Sequence, residues 1–234
     1  MIKNYDILKK AIEFRNQNGL GIEEPIRIKS LLQKLGVIAI YKKLVPSVSG
    51  CCIKIKDYKF ILINSNDTLG RQHFTALHEI YHLFIQDNFN SRICYTGEFN
   101  KKDKEEFNAD IFSANVLIPK DGILSKIPES EMIKNKISMT TLLDIEQYYS
   151  CSHSALLVQL EKMDLIDNSK KEDLKQNIKA KAYQYGYDTS LYEPGNDHLI
   201  IGDYGALAKR LFDNEIISES YYLNLMMDIG KEVG

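Results

Sequence analysis

The stretch RQHFTALHEIYHLF (71–84), preceded by KFILIN (59–64) and followed by EEFNADIFSANVLIP (105–119), decides how this chain is read. His78-Glu79-Ile80-Tyr81-His82 is an H-E-x-x-H. The apolar residues Phe74, Leu77, Tyr81, Phe84 and Ile85 around it recur at helical spacing and can pack the helix under a sheet. Four residues make about one helical turn, so both imidazoles leave one face and can grip a single metal ion. Glu79 then lies beside the metal and not on it, where its carboxylate can accept a proton from water.

A catalytic zinc takes three protein ligands and keeps one position open. The extended motif H-x-x-G-x-x-H is absent, because Ile85 and Asn88 stand at its Gly and His positions. Cys94 could serve but stands in no recognisable context. The stronger candidate is Glu106, in the E-x-x-A-D formed by Glu106, Ala109 and Asp110. On one helix Glu106 and Asp110 are a turn apart and face the same way. Glu106 would bind the metal, and Asp110 would accept the ring N–H of a ligand histidine and so fix its tautomer.

Outward from the motif the period changes. VIAIY (37–41), CCIKIK (51–56) and KFILIN (59–64) are short, β-branched and partly alternating. Asp57-Tyr58 separates the last two, a turn length suited to a hairpin. Before them, Ile7, Leu8, Ala11 and Ile12 mark a helix over 5–18 closed by Gly19, and Ile28, Leu31, Leu32 and Leu35 mark another closed by Gly36. After them the spacing predicts helices over 68–86, 102–117, 139–149, 153–163, 170–185, 204–213 and 218–229, with Pro119 closing the second. This is an α+β pattern: a small antiparallel sheet on the H-E-x-x-H helix, then a mainly helical C-terminal part. The break near 120–137, with Pro119 and Pro128, divides the chain into 1–125, which carries the metal motif, and 126–234.

Composition narrows the function. Thirty basic against 32 acidic residues give a net charge of -2, and 44% hydrophobic with 26% charged residues is ordinary for a soluble globular chain. No apolar run approaches the roughly 18 residues of a membrane helix. The opening MIKNYDILKKAIEF is charged throughout and does not read as a secretory signal, so the expected location is cytoplasmic. Cys51, Cys52, Cys94 and Cys151 are scattered, with no C-x-x-C, and read as reduced thiols. The basic residues are mostly lysines. Lysine is a point charge, whereas arginine makes the bidentate base contacts, so direct reading of DNA is not expected.

RQHFTALHEIYHLF, followed by E-x-x-A-D-x-F and VLIP, resembles the ImmA/IrrE family of zinc metallopeptidases. A strand pair ending in ILIN before the active-site helix and the late ISESYYLNLMMDIG (217–230) belong to the same resemblance. The resemblance implies a zincin-like fold for 1–125 and a gluzincin ligand set of His78, His82 and Glu106, with one zinc per chain. It also implies Glu79 as the catalytic base of peptide-bond hydrolysis, with substrate held in extended form along a sheet edge. Its implied substrate is a protein, a helix-turn-helix transcriptional repressor, whose cleavage derepresses a mobile element or stress regulon.

Two positions depart from the family pattern. Tyr81 stands where Gly is usual, which demands different packing and could narrow the cleft, and His73 replaces a common Arg. Arg71 could pair with an acidic group or bind substrate. ISMTTLLDIEQYYSCSHSALLVQLEKMDLI (137–166) looks like the family's helix-turn-helix-like segment. With one lysine against Asp144, Glu146, Glu161 and Asp164 it reads as a packing or partner-binding pair. His153 and His198 are weak candidates for stabilising an oxyanion. Two other function classes stay open: a non-proteolytic metal-bearing partner of toxin–antitoxin type, and a general cytosolic peptidase.

Overall fold

A computed structural model describes residues 5–87, 89, 92–94 and 103–230. Two helices, α1 (Tyr5–Gln17) and α2 (Ile28–Lys34), lead into strands β1 (Val37–Lys42), β2 (Gly50–Ile55) and β3 (Tyr58–Asn64). The motif helix α3 (Leu69–Phe84) follows, then the short strand β4 (Arg92–Cys94) and helices α4 (Lys104–Leu117) and α5 (Lys120–Lys126). The rest is α6 (Met139–Tyr149), α7 (His153–Lys162), α8 (Asn168–Leu174), α9 (Ile178–Gln184), the two-residue β5 (Ile200–Ile201), α10 (Tyr204–Asp213) and α11 (Glu219–Gly230). The fold is α+β and zincin-like. No helix among the described residues is long and apolar enough to cross a membrane.

The strands lie in the order β4-β2-β3-β1-β5. The sheet is mixed where an antiparallel one was expected: β1 and β3 run parallel, and the other neighbours are antiparallel. Topology is the reason. The 43–49 link carries the chain past one strand spacing, so β2 forms beyond a gap, and β3 turns back into that gap alongside β1. Register differs by one residue from the expected hairpin. Ile55 pairs with Tyr58, so the turn is Lys56-Asp57, with Lys56 at φ 53°. In this register Ala39, Ile61 and Cys52 stand side by side on the buried face. Ile38, Phe60 and Ile53 share the other face. A one-residue slip would exchange the two.

The buried face packs on α3, whose Ala76, Leu77 and Ile80 are wholly buried. On the opposite face Ile38 and Phe60 meet Leu207, Ala208 and Leu211 of α10 around a groove of about 460 Å³. The stacked rings of Phe212 and Tyr222, 4.9 Å apart, clasp α10 to α11. The expected helix over 170–185 is two helices, broken at Asn177, which takes the left-handed conformation (φ 56°) that asparagine tolerates. The 120–137 break contains α5, with Pro119 as its N-cap.

One apolar core runs from Ile7 to Ile201. The C-terminal half grips α3 directly. The Leu69 amide donates to the Glu193 carbonyl (2.9 Å), Gln72 Nε2 donates to Gly195 O (2.9 Å), and Asn196 Nδ2 donates to Gln72 Oε1 (2.9 Å). The α6–α7 turn also sits against α3. A Cβ on Gly70 would lie 2.7 Å from Ser152 N and 2.8 Å from the Cys151 carbonyl carbon, so only glycine admits that approach.

Candidate metal centre

The site begins with helix geometry. His78 and His82 are one turn apart on α3, fully enclosed, with ring centroids 4.9 Å apart and Nε2 atoms 3.2 Å apart. Glu106 enters from the first turn of α4. Its Oε2 lies 3.0 Å from His78 Nε2 and its Oε1 3.6 Å from His82 Nε2. One donor atom from each of the three lies within 4.8 Å of the others. Asp103 caps α4, accepting from the amides of Glu105 (3.0 Å) and Glu106 (3.4 Å), and so holds the ligand-bearing turn at the helix end.

The other ring nitrogens explain why the donors converge. His78 Nδ1 lies 3.0 Å from Asp110 Oδ1, and Asp110 is 2% exposed. His82 Nδ1 lies 2.5 Å from Gln86 Oε1. With an acceptor at each Nδ1, the neutral rings carry their proton there and aim both Nε2 lone pairs at Glu106. Two lone pairs and a carboxylate pointed at one spot repel each other unless a cation sits between them. The donor set fits a divalent metal on that ground.

Protonation of His78 would relieve the same repulsion. Burial lowers the His78 pKa. Its bonds to Asp110 and Glu106, with the charges of Glu79 and Asp110, outweigh burial and raise it to about 10. For Glu106 the same balance runs the other way: burial raises its pKa, and the bond to His78 and the charges of both histidines bring it below the usual carboxylate range.

Glu79 is wholly buried beside His78. It lies where β2 begins: a Cβ on Gly50 would be 3.2 Å from Glu79 Oε1 and 2.6 Å from Thr75 Cγ2. Its charge, after burial, raises the Cys51 thiol pKa. The arrangement therefore offers three ligand atoms and, adjacent to them, a carboxylate that can hold or pass a proton.

All five residues assigned to the site from sequence thus lie together: His78, His82 and Glu106 as the donor cluster, Asp110 behind His78, and Glu79 alongside. Cys94 pairs with Gly50 through its backbone, and its side chain lies outside the described residues. His153 is elsewhere and engaged on both nitrogens, with Glu146 Oε1 at 2.5 Å and Leu174 O at 3.0 Å. That excludes it as an oxyanion donor. His198 sits 3.5 Å from Asp197 Oδ2 on the segment crossing the start of α3, outside the cluster. Arg71 pairs with Asp67 (3.3 Å) and donates to Ser49 Oγ (2.9 Å). His73 Nδ1 bonds the Ser150 carbonyl at 2.8 Å, joining α3 to α6. Tyr81 turns inward: it is 2% exposed and its hydroxyl donates to Glu105 Oε2 at 2.8 Å. Sequence reading missed Gln86 and Gly50. Gln86 did carry a signal, a polar residue one turn after His82, as Asp110 is one turn after Glu106.

Two histidines a turn apart on one helix, a glutamate from the next helix within reach of both and a buried carboxylate beside them match the donor set of a metallopeptidase-type centre. The family model Peptidase_M78 (IrrE N-terminal-like domain) matches residues 32–161, and the chain belongs to that family. The match runs from α2 through α7 and takes in every residue of the centre. No curated protein matches the chain.

Proposed function

We propose that this chain is a zinc-dependent cytoplasmic endopeptidase that cleaves a helix-turn-helix transcriptional repressor, releasing the genes of a mobile element or stress regulon. The observation that carries the peptidase part is the convergence of His78, His82 and Glu106 with Glu79 buried alongside. Two imidazoles and one carboxylate are a zinc set with an open position. When bound, zinc supplies Lewis acidity to the scissile carbonyl and the attacking water. Glu79 takes the proton of that water as its oxygen bonds to the carbonyl carbon. It then gives the proton to the amine nitrogen as the C–N bond breaks. Asp110 and Gln86 keep both histidines in the ligating tautomer throughout. An extended substrate segment would join the sheet at β4, the strand at its edge.

The repressor assignment rests on the family. The test is to incubate the protein with the repressor encoded nearest to it, with and without chelator, and follow products by mass spectrometry. A single chelator-sensitive cut is expected. Glu79→Gln should keep its zinc and lose hydrolysis by about 10²–10⁴-fold. Glu106→Ala should lose the zinc, and Asp110→Ala should weaken binding by about 10–100-fold. Rapid digestion of many unrelated proteins with the repressor intact would favour a general peptidase. A filled zinc site with no cleavage of anything would favour a metal-bearing partner protein.

A further inference from the structure

We infer that Tyr81 is a positioning residue for the metal centre, bracing the His82 ring and the α4 turn that carries Glu106 at a set separation. This rests on the metal-site reading above. The Tyr81 ring meets the His82 ring edge-on, with centroids 5.5 Å apart and planes at 79°, and leans on Phe112 of α4 at 5.5 Å. Its hydroxyl donates to Glu105 Oε2 at 2.8 Å. Glu105 stands next to Glu106 in the first turn of α4. One side chain thus touches a ligand on α3 with its ring and the turn bearing the third ligand with its hydroxyl.

The need for such a brace follows from where the ligands come from. His78 and His82 share a helix, so their spacing is set by the helix itself. Glu106 comes from another helix, at its first turn, where helices fray. The Asp103 cap fixes the backbone of that turn but not its distance from α3. The Tyr81–Glu105 bond does. It joins a buried hydroxyl to a carboxylate, the stronger kind of hydrogen bond. A turn already in place loses little freedom when metal binds, and affinity rises accordingly.

The test titrates metal-free protein with zinc against a chromogenic chelator and records the cobalt(II) absorption spectrum of the substituted protein. Tyr81→Phe keeps the ring contacts and loses the hydroxyl bond to Glu105. It should bind zinc about 10-fold more weakly, with an altered cobalt spectrum. Glu105→Gln, which keeps an acceptor oxygen without the charge, should bind zinc more tightly than Glu105→Ala and less tightly than wild type, and Glu105→Ala should match Tyr81→Phe. The double variant Tyr81→Phe/Glu105→Ala should be no weaker than either single change. An affinity for Tyr81→Phe within about twofold of wild type, or additive effects in the double variant, would overturn the inference. If Tyr81→Phe also lowers the melting temperature of the metal-free protein, the Glu105 pair decides: weak Ala with tighter Gln supports the brace, and equal affinities refute it. A wild-type protein that takes up no zinc overturns the metal-site reading together with this inference. A normal wild type beside an unaffected Tyr81→Phe removes only the brace.

Discussion

Gly50→Ala tests how closely β2 and α3 are fitted around Glu79. Gly50 opens β2 where the strand crosses the motif helix. A methyl group there would lie 2.6 Å from Thr75 Cγ2, 2.9 Å from the Leu62 carbonyl oxygen and 3.2 Å from Glu79 Oε1. Thr75 is wholly buried, and the Leu62 oxygen belongs to the backbone of the paired strand, so neither yields cheaply. Overpacking of this kind costs about 1–3 kcal/mol. In a chain of this size that lowers the melting temperature by about 2–12 °C. Within the site the methyl presses on Glu79, while Glu106 and Asp110 approach the histidines from α4 and stay where they are. Zinc content should therefore hold while hydrolysis falls by up to about 10²-fold, the scale of a small misplacement of a reacting group. The assay combines thermal denaturation, zinc content and single-turnover hydrolysis. Adding Thr75→Ser, which removes Cγ2 and keeps the hydroxyl, should recover part of the lost melting temperature. A Gly50→Ala protein with wild-type stability and rate would refute this reasoning. So would zinc lost in step with activity, because the perturbation would then have reached the ligands.

Two further outcomes follow from buried groups. Arg15 on α1 is 3% exposed and donates to the carbonyls of Gly21, Glu24 (2.6 Å) and Val116 (2.5 Å); Arg15→Met strands these acceptors and should cost about 2–4 kcal/mol in urea denaturation, where an unchanged midpoint would contradict the assignment. His78 in the metal-free protein has its pKa raised to about 10, above its ordinary 6.5, so its contribution to stability is complete below the lower value and is lost as pH rises through the upper one. Metal-free protein should therefore melt at falling temperature between about pH 7 and pH 10, and zinc binding near pH 8 should release about one proton, measurable by calorimetry in buffers of different ionisation enthalpy; release of none would refute it.

The parts of this molecule that were legible in the sequence are those written locally. The pairing of His78 with His82, and of Glu106 with Asp110, needs only the helical repeat. The convergence of the two helices followed from the requirement of one metal for three ligands. What was not legible depends on contacts between distant segments. Nothing near KFILIN says that β3 enters a gap beside β1, or that the hairpin turns at Lys56-Asp57 instead of one residue later. Asn177 breaks a helix whose charge pattern continues smoothly through it. His153 resembled a site histidine because its partners, Glu146 and the Leu174 carbonyl, lie on other elements. Gly50 carries no signal in the sequence, and its meaning appears only with Thr75 and Glu79 beside it.

The helix pair α6–α7 gives the clearest case of position deciding role. Its sequence suggests a helix-turn-helix, whose second helix would normally lie in a groove of DNA with one face exposed. Here α7 buries Ala155, Leu156, Leu157, Gln159 and Leu160, and Gln159 Nε2 donates to the Ile118 carbonyl (3.3 Å) just beyond α4. Its first turn is locked by His153, and the turn before it rests on Gly70 of α3. His73 ties the same turn to α3 one helical turn further along. The face α7 leaves at the surface carries Ser154, Val158, Glu161 and Lys162, a stripe with no net positive charge to meet a phosphate backbone. Packed as it is, the pair clamps α3 from one side while α4 supplies Glu106 from another, so the helix that bears both histidines is set by elements on either side of it.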